Sequence, residues 1–265
     1  MANFNNKVVW ITGASSGIGK ALAEQFAKEG SRLILSSRRV AELQKVKQSC
    51  GAKPADVLVL PLDLANHEEM EEKAQTALNH FGQIDALINN GGISQRSLII
   101  DTDFEVYQKL VDIDYLGTVA LTKALLPTFV KQESGHYAVV TSLMGKFASP
   151  LRSGYCGAKH ALHGFFDALR MEHEKDNIKV TIICPGFIQT NISVNALVAD
   201  GSAQQKMDEA TGAGMPAEVC AAKIVRAMKR EKFEVLVGGK ETLAVYVKRF
   251  FPRLLHRIVM RSSVT

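Results

Sequence analysis

The chain has 265 residues, of which 46% are hydrophobic and 22% are charged, and its formal net charge is +5. These proportions are typical of a soluble globular protein whose core needs neither disulfides nor a metal. Five basic residues and no acidic residue follow Glu241, so residues 1–241 are almost neutral and the charge does not indicate a nucleic-acid partner.

Apolar, β-branched runs alternate with longer helical patterns along the chain. The predicted strands are Lys7–Thr12, Arg32–Ser36, Val57–Pro61, Ala86–Asn89, Tyr137–Thr141, Val180–Cys184 and Phe233–Val237. The predicted helices are Gly17–Lys28, Val40–Cys50, Glu68–His80, Phe104–Lys131 and Tyr155–Lys175. This alternation predicts one α/β domain over residues 1–241, with a doubly wound parallel sheet of about seven strands. Ligands of such sheets bind beyond the carboxyl ends of the strands.

The first predicted strand leads into a glycine-rich turn before a helix. The turn reads Thr12-Gly13-Ala14-Ser15-Ser16-Gly17-Ile18-Gly19. Glycines let the backbone turn sharply and approach a pyrophosphate, whose charge faces the positive end of the helix. The glycines have the spacing G-xxx-G-x-G. An ordinary glycine-rich turn without a ligand is the alternative interpretation. The strand before it and the helix after it favour dinucleotide binding.

Ser37, Arg38 and Arg39 follow the second predicted strand. An acidic residue at this position holds the ribose 2′-hydroxyl of NAD, whereas arginine accommodates the 2′-phosphate of NADP. Planar guanidinium groups suit phosphate, so the sequence predicts NADP(H); merely solvated arginines are the alternative. Later strand ends add candidate cofactor contacts, namely Asp63 (to the adenine), Leu64, Asn90, Gly91 and Gly92.

Tyr155 and Lys159 lie four residues apart at the start of a predicted helix, so both project from one face. A neighbouring ammonium group favours the phenolate, which makes Tyr155 a candidate acid/base. Ser142, at the end of the fifth strand, can donate a hydrogen bond to a substrate oxygen. A tyrosine and a lysine at this spacing are common on helix surfaces. Together with Ser142 and the glycine turn they predict an oxidoreductase.

These segments resemble the short-chain dehydrogenase/reductase family over most of residues 7–240. The matching segments are TGASSGIG, Asp63-Leu64, the NNGG run, Ser142 thirteen residues before Tyr155, YCGAK, and Pro185-Gly186-Phe187-Ile188-Gln189-Thr190. The resemblance implies a Rossmann-type fold and a catalytic triad of Ser142, Tyr155 and Lys159, with Tyr155 donating the proton in reduction. It places Pro185, Gly186, Ile188 and Thr190 at the cofactor, the last two near the nicotinamide carboxamide.

The resemblance also implies a homodimer or homotetramer formed through two long helices. The segments GISQRSL and HALHGFFDALR and the basic tail are similar to the hydroxysteroid-dehydrogenase side of the family, especially its dehydrogenase/reductase member 7 branch. Two residues depart from the family pattern: Gly92 replaces alanine, and Asp114 replaces the usual asparagine. A carboxylate near Lys159 predicts that the Tyr155 phenolate forms at higher pH; an Asp114 side chain turned away from the site is the alternative.

Residues 187–214 have little regular pattern and follow Pro185-Gly186, which predicts a lid over the substrate. Met144, Phe147, Phe187 and Leu197 would line an apolar pocket beside Ser142 and Tyr155. The extension, residues 242–265, alternates apolar and basic residues at helical spacing, and Pro252 divides it into two predicted helices. It could lie on an anionic membrane surface, or pack on the body or on a subunit partner.

The predicted function is NADP(H)-dependent interconversion of a ketone or aldehyde and its alcohol, on a steroid-, retinoid- or lipid-like substrate. Two alternatives remain: a 3-oxoacyl-thioester reductase of fatty-acid synthesis, and a catalytically retired NADP(H) sensor. The scattered cysteines, the N-terminal residues and the absence of a long apolar stretch predict a cytoplasmic setting. Histidine spacing suggests no metal site.

Overall fold

The computed structural model describes residues 2–51, 53 and 56–262. Seven parallel strands form one sheet in the order β3-β2-β1-β4-β5-β6-β7. The strands are β1 (Val8–Thr12), β2 (Arg32–Ser36), β3 (Val57–Val59), β4 (Ala86–Asn89), β5 (Gly135–Val140), β6 (Ile178–Pro185) and β7 (Glu234–Val237). The predicted doubly wound, Rossmann-type sheet is confirmed. Its strand order reverses between β1 and β4, which is where such folds bind ligands.

Ten α-helices lie within the described residues. They are α1 (Gly17–Lys28), α2 (Val40–Ser49), α3 (Met70–Phe81), α4 (Phe104–Val111), α5 (Gly117–Gln132), α6 (Ser153–Glu172), α7 (Glu209–Gly212), α8 (Ala217–Lys229), α9 (Leu243–Phe250) and α10 (Pro252–Arg261). The first three and α6 agree with the predicted helices to within a few residues. Helix α8 was not predicted, although Cys220, Ile224 and Met228 recur on its buried face at helical spacing.

Two apolar cores cover the two faces of the sheet. Successive strand residues alternate between them: Trp10 faces one core and Val9 the other. Helices α3, α5 and α6 pack on the first face, whereas α1, α2 and α8 pack on the second. The Trp10 indole donates a 2.8 Å hydrogen bond to the Ser36 hydroxyl, so its buried N–H is satisfied. The central strands are therefore buried on both faces, as is typical of parallel sheets, whereas the edge strands β3 and β7 are partly exposed.

The predicted long helix Phe104–Lys131 is divided by a π-helical turn, Asp112–Leu116, between α4 and α5. Such turns insert an extra residue and re-aim side chains, often at functional sites. The run Phe104–Gln132 is long and apolar enough to span a membrane by length and composition, contrary to the expectation that no stretch would be. Leu121, Leu125 and Phe129 are nevertheless fully buried in the protein core.

The extension forms two helices, α9 and α10, that meet at Pro252 as predicted. Leu255 of α10 is only 4% exposed and joins the first core, while Ala244, Val247 and Val259 pack against it. One face of the extension thus packs on the body, which was one of the open alternatives. Its start is tied to the end of β6, because the Phe187 N–H donates to the Glu241 carboxylate at 3.3 Å.

Candidate active site

One cavity of about 780 Å³ lies at the carboxyl ends of the strands. It is lined by nearly all the predicted cofactor residues: Gly13, Ser15, Ser16, Gly17, Ile18, Ser37, Arg38, Arg39, Asp63, Leu64, Asn90, Gly91, Gly92, Pro185, Gly186, Ile188 and Thr190. The same cavity is lined by Ser142, Met144, Phe147, Tyr155, Lys159, Phe187 and Leu197. Two of the predicted site residues, Gly19 and Asp114, are not among the residues that line this cavity.

The glycine turn closes tightly against β4. Gly13 and Gly17 have φ angles of +64° and +53°, which L-residues rarely adopt. A Cβ on Gly19 would lie 2.3 Å from the Gly13 carbonyl oxygen, so a glycine is needed where the turn packs on α1. Gly19 itself does not line the cavity. The Thr12 hydroxyl accepts from the Asn90 and Gly91 N–H groups at 3.0 Å each. Backbone can therefore approach a bound phosphate closely here.

A polar cradle lies beside the glycine turn at the end of β2. The Arg39 guanidinium donates to the Ser15 hydroxyl at 3.0 Å and to the Ser16 hydroxyl at 2.7 Å. Arg38 is exposed at the same rim of the cavity. The Arg39 guanidinium and the two serine hydroxyls thus form a group of hydrogen-bond donors at this rim, and Arg38 lines the same cavity. This donor set fits a phosphate better than a ribose hydroxyl pair.

The catalytic candidates converge on the cavity from β5 and α6. Lys159 is buried, its Nζ donates to the Val140 carbonyl at 3.3 Å, and it lies 5.6 Å from the centre of the Tyr155 ring. The Ser142 hydroxyl accepts from the Met144 N–H at 3.1 Å, which leaves the serine proton available to donate into the cavity. The phenol, the ammonium group and the hydroxyl therefore belong to residues that line one cavity.

Asp114 lies on the π-helical turn with its carboxylate directed towards Lys159, not away from it. The Asp114 Oδ1 accepts from the Ile93 N–H at 2.7 Å, and Oδ2 lies 3.6 Å from Lys159 Nζ. Complete burial raises the pKa of the Asp114 carboxyl above its usual value, while the Lys159 ammonium opposes that rise. A Cβ on Gly92 would lie 3.0 Å from Oδ1, so the two departures from the family pattern are in contact.

A buried ion cluster that the sequence analysis missed fastens the lid to the site. Arg96 donates to the Asp208 carboxylate at 2.6 and 2.9 Å, and Arg152 donates to the same oxygen at 3.3 Å. Burial opposes ionisation of Asp208, but hydrogen bonds from Arg96 and Gln204 and the two positive charges hold its pKa below the usual value. Arg96 lies within GISQRSL, but nothing in sequence order linked it to a lid carboxylate 112 residues later.

A second cluster lies behind Ser142, where folding brings His163, Cys184 and Glu234 within 4.8 Å of one another. Histidine, thiolate and carboxylate are metal ligands, and sequence spacing did not reveal this cluster. Lys146, however, forms an ion pair with Glu234, and burial raises the pKa of the Cys184 thiol to about 12. An ammonium group on the carboxylate and a neutral thiol both disfavour a cation.

The cavity has more apolar lining residues than the sequence analysis anticipated. Besides Met144, Phe147, Phe187 and Leu197, the extension contributes lining residues. These are Ala244, Leu255, Ile258, Val259 and Ser262. The lid, residues 187–214, is held by an isolated bridge between Gln95 and Leu197 and contains the short helix α7. Residues of the predicted lid and of the extension thus line the same cavity as Tyr155 and Ser142.

Residues 7–199 match the short chain dehydrogenase family. The chain is 42% identical to dehydrogenase/reductase SDR family protein 7-like of Drosophila melanogaster, over 97% of this chain and 81% of that protein. It is 41% identical to member 7B of Mus musculus over the same shares, and 50% identical to member 7 of Homo sapiens over 73% of this chain and 58% of that protein.

Solved structures share the fold. A short chain dehydrogenase/reductase from Burkholderia phymatum in complex with NAD aligns with a TM-score of 0.86 and 22% identity over 96% of each chain. An alcohol dehydrogenase from Thermococcus sibiricus complexed with 5-hydroxy-NADP aligns with a TM-score of 0.74 and 24% identity, over 88% of this chain and 97% of that one.

The chain belongs to the short-chain dehydrogenase/reductase family of oxidoreductases, which bind a nicotinamide cofactor. Within that family it belongs to the dehydrogenase/reductase member 7 branch, as the relatives from fly, mouse and human show.

Replacing Asp114 with asparagine should move the pH profile of alcohol oxidation to lower pH. The ionised carboxyl partly cancels the Lys159 charge that favours the Tyr155 phenolate, and the amide does not. The measurement is kcat/KM against pH, with Asp112→Asn, two residues away on the same turn, as the matched control. Superimposable profiles for wild type and Asp114→Asn would show that the carboxyl has no influence on the site.

Replacing Asp208 with alanine should lower the free energy of unfolding by about 3–5 kcal/mol, because Arg96 would stay buried without its ion partner. Asp200→Ala, an exposed position in the same lid, should cost less than about 1 kcal/mol. Urea unfolding measures both. Since the pKa of Asp208 is lowered, its contribution is complete at neutral pH and is lost only as the pH falls through that lowered value. Equal losses for the two variants would contradict the proposed anchoring.

Proposed function

We propose that the protein is an NADP(H)-dependent oxidoreductase that interconverts a lipophilic ketone or aldehyde and its alcohol. The observation that carries this proposal is the convergence of Ser142, Tyr155 and Lys159 on the cavity that also contains the glycine turn and the arginine cradle. Proton-transfer groups have no purpose in a protein that only binds a nucleotide. The catalytically retired sensor is therefore the less favoured alternative.

The cofactor preference rests on the cradle formed by Ser15, Ser16, Arg38 and Arg39. Its guanidinium and hydroxyl donors would hold the ribose 2′-phosphate, and the N-terminus of α1 beyond Gly17 would face the pyrophosphate. Ile188 and Thr190, after β6, would lie along the nicotinamide end. When bound, NADP(H) supplies or accepts the hydride.

The chain's own residues handle the proton and the substrate oxygen. Ser142 donates a hydrogen bond to that oxygen, because the hydrogen bond that its hydroxyl accepts from the Met144 N–H leaves the hydroxyl proton free. In reduction Tyr155 donates a proton to the same oxygen, and in oxidation it removes that proton. The buried ammonium of Lys159 stabilises the phenolate left behind, while the Val140 carbonyl and Asp114 hold the ammonium in place.

The substrate preference rests on the apolar end of the cavity. Met144, Phe147, Leu197 and Leu255 offer mainly hydrocarbon to a bound molecule, as a steroid-, retinoid- or lipid-like carbonyl compound would require. The proposal further includes a homodimer or homotetramer, and a cytoplasmic location with peripheral membrane contact through residues 242–265. Family resemblance supports the oligomer, and the basic, amphipathic extension supports the membrane contact.

The cofactor proposal predicts that NADPH binds at least about tenfold more tightly than NADH, and that Arg39→Ala removes most of that difference. Arg39 touches both serines of the glycine turn, so its loss should matter at least as much as that of Arg38. Titration of NADPH and NADH fluorescence measures the constants, with Arg226→Ala on α8 as the control. Equal affinities for the two cofactors in wild type would overturn the preference.

Replacing Tyr155 with phenylalanine should lower kcat by about 10²–10⁴-fold and leave NADPH affinity within a factor of about two. The substitution removes only the hydroxyl that moves the proton and preserves the ring. Turnover of a panel of lipophilic ketones and aldehydes, followed by NADPH absorbance, gives the rate. An unaltered rate would mean that Tyr155 is not the acid/base.

A further inference from the structure

The extension presents an apolar row to solvent beside its packed face. Leu243, Tyr246 and Phe250 recur at helical spacing along α9. Phe251, Leu254 and Ile258 continue the row through α10, and all six side chains are between 46% and 69% exposed. These six residues are termed the outer face. Contiguous large apolar side chains of this kind mark surfaces that contact another apolar phase.

Basic residues border the outer face. Arg253, Arg257 and Arg261 recur every four residues on α10 and form one positive row, and Lys248 and Arg249 lie at the end of α9. No acidic residue follows Glu241 in the sequence. An apolar row flanked by cations is the pattern of helices that lie in the headgroup region of anionic bilayers.

The charge distribution favours a lipid surface over a second copy of the chain. Two outer faces packed against each other would bring two sets of five basic residues together, with no acidic side chain from residues 242–265 to compensate. Anionic headgroups supply that compensation, and acyl chains accept the aromatic and aliphatic side chains.

The outer face also adjoins the mouth of the active-site cavity. Ile258 belongs to the outer face, is 46% exposed and lines the cavity. Phe187, at the start of the lid, is 38% exposed and lines the cavity as well. On the inner side, Leu255 and Val259 line the same space one helical turn apart. A bilayer under the outer face would therefore meet hydrocarbon that continues from the surface into the substrate pocket.

We propose that the outer face docks on an anionic lipid surface and that the carbonyl or alcohol substrate enters the cavity directly from that bilayer, past Ile258 and Phe187. This inference rests on the proposed function for the reaction and for the membrane contact of residues 242–265, and it adds the docking surface and the route of entry past Ile258 and Phe187. The substrate class that follows is a membrane-dissolved carbonyl compound or alcohol, which reaches the cavity without crossing water.

Vesicle sedimentation tests the docking. The probe is vesicles of phosphatidylcholine and phosphatidylserine in about a 7:3 ratio, compared with pure phosphatidylcholine. Wild type should sediment with the anionic vesicles and much less with the neutral ones. The variant Arg253→Glu/Arg257→Glu/Arg261→Glu should stay in solution. The matched control Lys223→Glu/Arg226→Glu/Arg230→Glu, on the exposed side of α8, should sediment like wild type.

The apolar half of the outer face needs its own variant. Phe250→Ser/Phe251→Ser should weaken sedimentation without changing the circular dichroism spectrum, because both side chains are exposed and outside the core. Met171→Ser, an equally exposed apolar position on α6, should have no effect. Wild type that remains in solution with anionic vesicles, or an arginine variant that sediments as well as wild type, overturns the docking.

Turnover tests the route of entry. With a long-chain aldehyde dissolved in the anionic vesicles, the arginine variant should lose at least about tenfold in rate, and with a short water-soluble aldehyde it should match wild type. Equal losses on the two substrates, or none on either, would overturn entry from the bilayer. Absence of turnover with both substrates in wild type would instead overturn the proposed function, and the sedimentation result would still decide the docking.

Discussion

Parallel strands all end at the same edge of their sheet, and the site of this protein depends on that geometric constraint. Five strands deliver functional residues there: Gly13 follows β1, Arg38 follows β2, Asn90 follows β4, Ser142 follows β5 and Pro185 ends β6. Each strand is buried on both faces, so its register is held by packing rather than by the site itself. Residues far apart in sequence thereby share one cavity.

The sequence predicted the strands and the residues that follow them because both have strong local signals. Buried strands appear as short apolar runs, and the glycine turn, Ser142 and the Tyr155/Lys159 pair sit at their ends or one helical turn apart. The sequence did not reveal the π-helical turn, since Asp112–Leu116 contains no glycine or proline that would mark a break in the predicted helix. The Arg96–Asp208 ion pair was not predicted either, because no local sequence pattern links two charges in different loops.

The packing of the extension on the body could likewise not be predicted from the sequence alone. Its helical periodicity and the break at Pro252 were visible in sequence, but which face packs on the body depends on the shape of the surface it meets. Leu255 and Val259 turned out to complete the cavity wall, so the extension contributes to the substrate pocket. Lid and extension are both attached near the end of β6, where Glu241 receives the Phe187 N–H.

The charges around Tyr155 are few and buried, which makes each of them influential. Lys159 lies between the Val140 carbonyl and the Asp114 carboxyl, and the ordinary family pattern has an uncharged amide in place of the latter. A second buried carboxylate, Asp208, forms ion pairs with Arg96 and Arg152. The Lys159 ammonium, a candidate catalytic group, thus lies against a carboxyl whose own ionisation is disfavoured by burial.

Transfer of a labelled hydride tests the central claim most directly. The protein would be incubated with NADPH carrying deuterium at C4 and with a lipophilic aldehyde or ketone, and the product analysed by mass spectrometry. Deuterium on the carbinol carbon of the product, with an equivalent amount of NADP⁺ formed, is the predicted result. Binding of NADPH without transfer to any carbonyl compound offered would contradict the assignment of this cavity as an oxidoreductase active site.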